Sequence, residues 1–477
     1  MNVVLINPPL RTQDLPVYYP IGICSIASYL RQNGHKVKIL DINGFRWSKT
    51  KFKKIFDKEP VEAVGIGGLV TAFNHVHWLS DYIKSVKPNV PIFAGNTVAS
   101  TIPEILLKNT KVDIVVMGEG EVTTLELIQR LENGKSLEGL KGVWYKNNDG
   151  KIVENPPREP IENLDSLPFP AWDLVPMERY LKNLIAATGN SSAPISTVRG
   201  CPYNCTFCCK TFIGYSVRSR SAENCIQEIK LLVDKYEIEG FMLSDDLFTY
   251  NKQRAMRFCD LLIKEGLDYL KWSASARANL ITKELAQKMK SAGCTYLGFG
   301  FESSSQKILD YYNKQCTVEN QQQAIDICKE VDIGCRRSYM IGAAVEDEQS
   351  IKETAEFCKK NGSKYAPDFF VMPMPKTKIY AECRQRELIK DELKYIEKIS
   401  VIGNASNFVI NITEKFSDEE LIKLCNMYRS EMEKPDGVSA GERIRSLRKL
   451  GITDTIRIAK FAIDKQLKKT SSANEWT

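Results

Sequence analysis

The chain has 477 residues, 43% hydrophobic and 26% charged, a globular profile with room for two to four domains at ~100–200 residues each. No uncharged apolar run approaches the ~20 residues of a membrane span, and Met1-Asn2-Val3-Val4-Leu5-Ile6-Asn7-Pro8-Pro9 lacks the features of a signal peptide, so a cytoplasmic protein is expected. The net charge is +7, but Gly441 to Thr477 holds nine Lys/Arg against four Asp/Glu; the near-balanced remainder argues against a nucleic-acid footprint over the body.

In chain order, β-rich runs at Val3–Ile6, Lys36–Asp41, Ala63–Ile66, Pro91–Gly95 and Asp113–Val116 alternate with helical patterns such as Ile21–Gln32 and Asn74–Val86. Such alternation predicts an α/β, doubly wound, Rossmann-like sheet with its ligand at the carboxyl ends of the strands. The loops there are Asn7-Pro8-Pro9, Gly67-Gly68-Leu69-Val70-Thr71, Gly95-Asn96-Thr97 and Gly118-Glu119-Gly120-Glu121. No Gly-x-Gly-x-x-Gly follows the first strand, so a dinucleotide site is unsupported. A hairpin is expected around Asp149-Gly150, followed by Pro156-Pro157, Pro160 and Leu167-Pro168-Phe169-Pro170-Ala171-Trp172, an extended and semi-rigid connector.

Fourteen cysteines follow an uneven distribution: Cys24 alone in the first 200 residues, then Cys201, Cys205, Cys208 and Cys209 within nine positions, then singletons from Cys225 to Cys425. Singletons in helical patterns read as small buried apolar residues. The cluster reads as a metal site in a reducing compartment. Structural zinc normally takes two separated ligand pairs, and no second pair is present; the three histidines are His35, His75 and His77. Cys201-x3-Cys205-x2-Cys208 can hold three irons of a four-iron cluster and leave the fourth open to a small molecule, whereas Cys209 breaks the x2 spacing.

After the cluster, β-rich runs (Ile195–Arg199, Gly240–Leu243, Lys271–Ala276, Thr295–Gly300, Cys335–Ile341, Ala366–Val371) alternate with helical patterns at Ser221–Tyr236, Lys252–Glu265, Thr282–Ala292 and Asp347–Asn361. Six βα repeats predict a parallel sheet or partial (β/α)6 barrel with its chemistry at the carboxyl rim, where the Cys loop follows the first strand. The rim also carries Asp245 and Asp246, Arg277 and Asn279, and Gly300-Phe301-Glu302-Ser303. The aspartates suit acid/base work, ribose binding or a helix N-terminus equally. The expected domains are 1–140, a hairpin and Pro-rich linker over 141–190, the barrel over 191–385 and a mainly α region over 386–477. In that last region Ile452, Ile456, Ala459, Ile463 and Leu467 recur at helical spacing beside Arg457, Lys460 and Lys465. Such a basic amphipathic helix either docks on the barrel or makes peripheral contact with an anionic membrane.

Arg199-Gly200-Cys201-Pro202-Tyr203-Asn204-Cys205-Thr206-Phe207-Cys208 resembles the signature of the radical S-adenosylmethionine enzymes. The resemblance implies a [4Fe-4S] cluster on Cys201, Cys205 and Cys208, with S-adenosyl-L-methionine on the open iron. It further implies Phe207 against the adenine, Glu302 on the methionine ammonium, and Arg277 as a partner for the carboxylate or a substrate anion. Ile341-Gly342-Ala343-Ala344-Val345-Glu346 lacks the proline of a Gly-x-Pro turn, and Lys376 stands where glycine is usual after Pro375. The segments Asn7 to Val37 and Gly118-Glu119-Gly120-Glu121 resemble the cobalamin-binding domain fused to many of these enzymes, as does the Leu-Pro-x-Pro-Ala-Trp text. This implies a corrinoid at Leu69, Val70, Thr71, Gly95, Asn96, Thr97, Glu119 and Gly120. The Asp-x-His-x-x-Gly motif that supplies a histidine to cobalt is absent, and Gly95-Asn96-Thr97 lacks the Gly-Pro-His form often seen in that loop.

The expected activity is methylation of an unactivated carbon, which needs a radical because an alkyl C–H is too weak an acid for polar chemistry. A radical cyclase or rearrangement enzyme is the alternative within the family, and a non-catalytic corrinoid or cluster sensor the alternative outside it. Expected partners are a small-molecule or lipid substrate and an external electron donor of flavodoxin or ferredoxin type, with no nucleic acid.

Overall fold

The computed structural model describes residues 1–430 except 12, 13, 211–213, 215, 364 and 366. Near-continuous apolar runs make its first strands: β1 (Asn2–Asn7) buries Val3 to Ile6, as a strand covered on both faces must. With β2 (Lys36–Asp41), β3 (Ala63–Gly67), β4 (Ile92–Gly95) and β5 (Ile114–Val116) it forms a parallel sheet in the order β2-β1-β3-β4-β5. The expected hairpin, β6 (Val143–Lys146) and β7 (Ile152–Glu154), extends that sheet in antiparallel fashion at the β5 edge. The connections diverge on either side of β1 and β3, and a crevice opens there above the carboxyl ends.

The second sheet contains β8 (Ser192–Ile195), β11 (Gly240–Leu243), β12 (Lys271–Ala276), β13 (Cys294–Glu302), β14 (Gly334–Ile341) and β15 (Phe369–Phe370), all parallel, in sequential order from β8 to β15. Helix starts carry their own caps: Ser221 Oγ accepts from Asn224 N, while Thr317/Asn320 and Asp347/Ser350 form reciprocal capping boxes. The expected strand Ile195–Arg199 is displaced. The barrel strand β8 starts earlier, at Ser192, and already ends at Ile195, while Val198–Arg199 forms a separate short strand, β9, paired antiparallel with β10 (Arg218–Ser219). The reason is Asp245, whose carboxylate accepts from Thr197 N and Val198 N and so removes backbone donors that a ladder would have used. The Cys loop is therefore a stem-loop closed by β9 and β10.

The linker is embedded. Trp172 is 2% exposed, meets Tyr19 edge-on and donates through Nε1 to Glu228, while Ala171 N donates to Cys24 O. One apolar core runs through the inner side of the first sheet, the linker and the barrel helices; a second joins the outer side of the first sheet to the C-terminal helices. The helix Glu392–Ile402 packs on the turn Val70–Ala72 and the helix Phe73–Val86, where Asn74 N donates to Ser400 Oγ at 3.0 Å. No helix among the described residues is long and apolar enough to cross a membrane. The expected helical pattern after Phe416 gives a helix at Asp418–Ser430; its basic part, from Ile452 to Leu467, lies outside the described residues.

Candidate functional site

A cavity of about 460 Å³ lies between the carboxyl ends of the first sheet and those of the first two barrel strands, β8 and β11. Cys201, Cys205, Cys208, Phe207, Arg277 and Glu302 are not on its lining. Its wall on the first sheet includes Asn7, Gly68, Leu69, Gly95, Asn96 and Gly120, and its wall on the barrel includes Ser196, Val198, Arg199, Ser244 and Asp246. The linker closes it with Leu164 and Leu167 to Pro170. Leu69 is 42% exposed, the largest apolar side chain offered by these glycine-rich loops. Asn96 takes a left-handed φ of 68°, which places its backbone at the rim.

Of the corrinoid positions expected from sequence, Leu69, Gly95, Asn96, Glu119 and Gly120 line this cavity. Val70 and Thr71 lie behind its wall, buried in a short 3₁₀ turn, and Thr97 Oγ1 accepts from Val70 N at 3.0 Å. The Glu119 carboxylate is engaged by arginines. Oε1 accepts from Arg199 Nη1 at 2.8 Å and Oε2 from Arg218 Nη1 at 2.7 Å. Burial pushes this carboxyl up, the two guanidiniums pull it down, and the net direction is down. None of the three histidines is on the wall: His35 meets the N-terminal amine, His77 meets Asp81, and His75 is on the helix Phe73–Val86.

The aspartate pair has a positional explanation. Asp245 holds Thr197 and Val198, and Asp246 Oδ2 accepts from Gly200 N at 3.1 Å, so both fix the chain as it enters the Cys loop. Burial pushes Asp245 up to about 6, against its three hydrogen bonds, and pushes Asp246 up as well. Gly200 has φ 92°, and a Cβ there would collide with Ser216 O; only glycine fits the neck of the loop.

Within the loop Cys205 is buried, Cys201 half-buried and Cys208 exposed. Among the described residues no three His, Cys, Asp or Glu side chains converge as ligands of a single ion. Three thiols carried on one loop are the kind of donors that three corners of a cubane take, so the donor set fits the cluster. The loop is anchored to the segment after β13: Thr206 N donates to Tyr312 O at 2.9 Å and Asn313 Nδ2 to Asn204 O at 2.9 Å. Phe207 meets Tyr312 edge-on at 5.2 Å, with Lys314 above its ring.

Glu302 ends β13 with φ 64°, at a register shift against β14, and its Oε1 pairs with Lys314 Nζ at 2.8 Å. A Cβ at Gly300 would strike Glu302 Oε1, so the missing side chain makes the carboxylate's pocket. Arg277, 8% exposed, stacks 3.6 Å above Tyr203 and points Nη1 at Cys205 Sγ, 3.9 Å away. Its Nε and Nη2 are buried without a hydrogen-bond partner. A buried guanidinium with unused donors beside the Cys loop fits an anionic ligand. Sequence reasoning missed Lys314, which stands twelve residues beyond Glu302 with no motif of its own. It also missed the linker as a cavity wall, although Leu167 to Pro170 was visible as a proline-rich run.

The B12 binding domain model matches residues 12–128 and the Radical SAM superfamily model residues 195–358. The chain is 33% identical over 386 residues to an uncharacterized methyltransferase, PH0819, of Pyrococcus horikoshii, covering 80% of this chain and 82% of that protein. It is 25% identical over 405 residues to the anaerobic magnesium-protoporphyrin IX monomethyl ester cyclase of Rubrivivax gelatinosus, covering 83% and 72%. The solved structure of OxsB, a cobalamin-dependent S-adenosylmethionine radical enzyme with aqua-cobalamin and S-adenosylmethionine bound, shares the fold. Its TM-score is 0.74 at 18% identity, over 100% of this chain and 74% of that one.

Proposed function

The chain belongs to the radical S-adenosylmethionine enzymes that carry a B12-binding domain, and from that premise we propose that it methylates an unactivated carbon of a small molecule. The observation that supports this reading most is the cavity that the carboxyl ends of the first sheet share with those of β8 and β11, beside the neck of the Cys loop at Val198 and Arg199. Methyl transfer to carbon asks for a methyl carrier and a radical source on either side of one substrate, and this geometry offers opposed walls for them.

Cys201, Cys205 and Cys208 would hold the [4Fe-4S] cluster, and Leu69, Gly95, Asn96 and Gly120 would meet the corrinoid. When bound, these groups supply the electron that cleaves the sulfonium and the means of carrying a methyl group. The chain's own part is to bind, orient and exclude. Glu302, in the pocket left by Gly300, would take the methionine ammonium, displacing Lys314 from the carboxylate. Arg277 would give its unused donors to the methionine carboxylate, which relieves a buried, under-paired charge on binding. Phe207 offers an aromatic face to the adenine. The linker residues Leu167 to Pro170 would keep water from the space between the sheets.

An external electron donor and a small-molecule substrate are required by the family's chemistry; a donor of flavodoxin or ferredoxin type is the form we propose. Cyclisation or rearrangement is the second reading, favoured by the similarity to the Rubrivivax cyclase. The deciding experiment supplies S-adenosylmethionine with a labelled methyl group to anaerobically reconstituted enzyme and cell extract. Label in a product supports methylation; consumption of a substrate without label supports the second reading. Cys201→Ala is expected to abolish 5′-deoxyadenosine formation, and undiminished formation would remove the radical assignment altogether.

A further inference from the structure

The segment Gly118-Glu119-Gly120-Glu121 belongs to the first sheet, yet its carboxylates grip the base of the Cys loop. Glu119 Oε2 accepts from Arg218 Nη1 and also from Ile161 N at 2.7 Å, Oε1 accepts from Arg199 Nη1, and Glu121 Oε1 accepts from Arg199 Nη2 at 2.6 Å. The side chains are withdrawn from water: 7% exposed for Glu119, 5% for Glu121, 4% for Arg218 and 20% for Arg199. Arg199 and Arg218 are register partners in the β9/β10 stem. Two guanidiniums opposite one another in a ladder repel, so the stem closes in this form because a carboxylate from the other sheet stands between them. The stem reaches Cys201 after one further residue, Gly200, itself fixed by Asp246.

We propose that Glu119 is a positioning residue whose bridge to Arg199 and Arg218 sets the stand-off between the corrinoid wall of the first sheet and the cluster loop of the barrel. This rests on the reading of the cavity as a two-cofactor site. The loop's backbone belongs to one wall while its side chains hold the stem of the other, so a displacement of either wall is passed through one short, charge-paired link. The carboxylate, already serving Arg199, Arg218 and Ile161, acts on the cofactors through the chain and not by touching them.

The test compares holoenzymes loaded with the cluster and cob(II)alamin, matched for iron and corrinoid content and reduced until both spins coexist, by electron paramagnetic resonance. Magnetic dipolar coupling falls with the inverse cube of separation, so it reads the stand-off directly. Wild type is expected to show a cluster signal split or broadened by cobalt. Glu119→Gln/Arg218→Gln, which removes both charges of that pair and leaves Arg199 its second carboxylate, Glu121, is expected to lose at least half of that interaction. Glu119→Asp keeps every charge but shortens the reach by one methylene and should move the coupling away from its wild-type value, which serves if the double variant does not fold. Arg218→Lys, retaining the charge opposite Glu119, should keep most of the wild-type coupling. Wild-type coupling in both Glu119 variants, or none in doubly loaded wild type, overturns the proposal. Failure of wild type to take up corrinoid, seen beforehand by absorption, instead sinks the functional reading and this inference with it.

Discussion

Replacing Asp245 by alanine and by asparagine separates its two effects, the acceptors it provides and the charge it buries. Alanine would leave Thr197 N, Val198 N and Thr197 Oγ1 without their partner in a site where Thr197 is wholly buried. At about 1–3 kcal/mol for each stranded group, offset by the free rotation of the hydroxyl and the loss of a buried charge, the cost should be about 2–5 kcal/mol. Asparagine keeps an oxygen for the two N–H groups and lets the Thr197 hydroxyl accept from the new amide, so it should cost less than about 1 kcal/mol. The pH dependence has a definite sign. Burial lifts Asp245 from 3.8 to about 6, so the folded chain holds a proton that the unfolded chain has released. Its contribution to stability is present at low pH and is lost as pH rises through 6, by about 1 kcal/mol between about pH 5 and 7. In the asparagine variant that loss should vanish. Anaerobic urea unfolding of the three chains across that range, followed by tryptophan fluorescence, measures all of this. An asparagine chain as unstable as the alanine one, or an alanine chain as stable as wild type, would refute the reasoning.

Three further outcomes are expected. Gly200→Ala forces a side chain against Ser216 O at a positive φ, so iron uptake on reconstitution should fall severely while far-ultraviolet circular dichroism stays near wild type. Glu302→Gln removes a charged partner for an ammonium, and equilibrium binding of S-adenosylmethionine should weaken by roughly 10- to 100-fold, corresponding to about 1.5–3 kcal/mol. Arg277→Met takes away a buried guanidinium with two unused donors. The ligand-free chain should lose no more than about 1 kcal/mol, the cation–π contact with Tyr203 being the main loss, whereas S-adenosylmethionine affinity should drop at least tenfold.

Local patterns in the chain determined a great deal. The Cys201-x3-Cys205-x2-Cys208 spacing, the capping residues and the apolar periodicities are short-range quantities, and they located the helix Ile21–Gln32 and strands such as Lys36–Asp41 to the residue. The order of two α/β units was legible for the same reason, since parallel strands require a crossover of fixed hand. Pairings across long stretches of chain were decided only by tertiary structure. Asp245 and Asp246 fitted three roles until their hydrogen bonds placed them on Thr197, Val198 and Gly200. The same Asp245 broke a strand that propensity would have continued through Thr197. Val70, Thr71 and Thr97 sit in loops that read as cofactor walls, yet the helix Glu392–Ile402, more than 300 residues later, covers the turn that holds the first two. Glu119 and Glu121 belong to a motif readable from sequence, but Arg199 and Arg218 reach them from 78 to 99 residues away. A carboxylate's use depends on which cation the fold brings within 3 Å and on how much water the fold removes, and neither is a property of its neighbours in sequence.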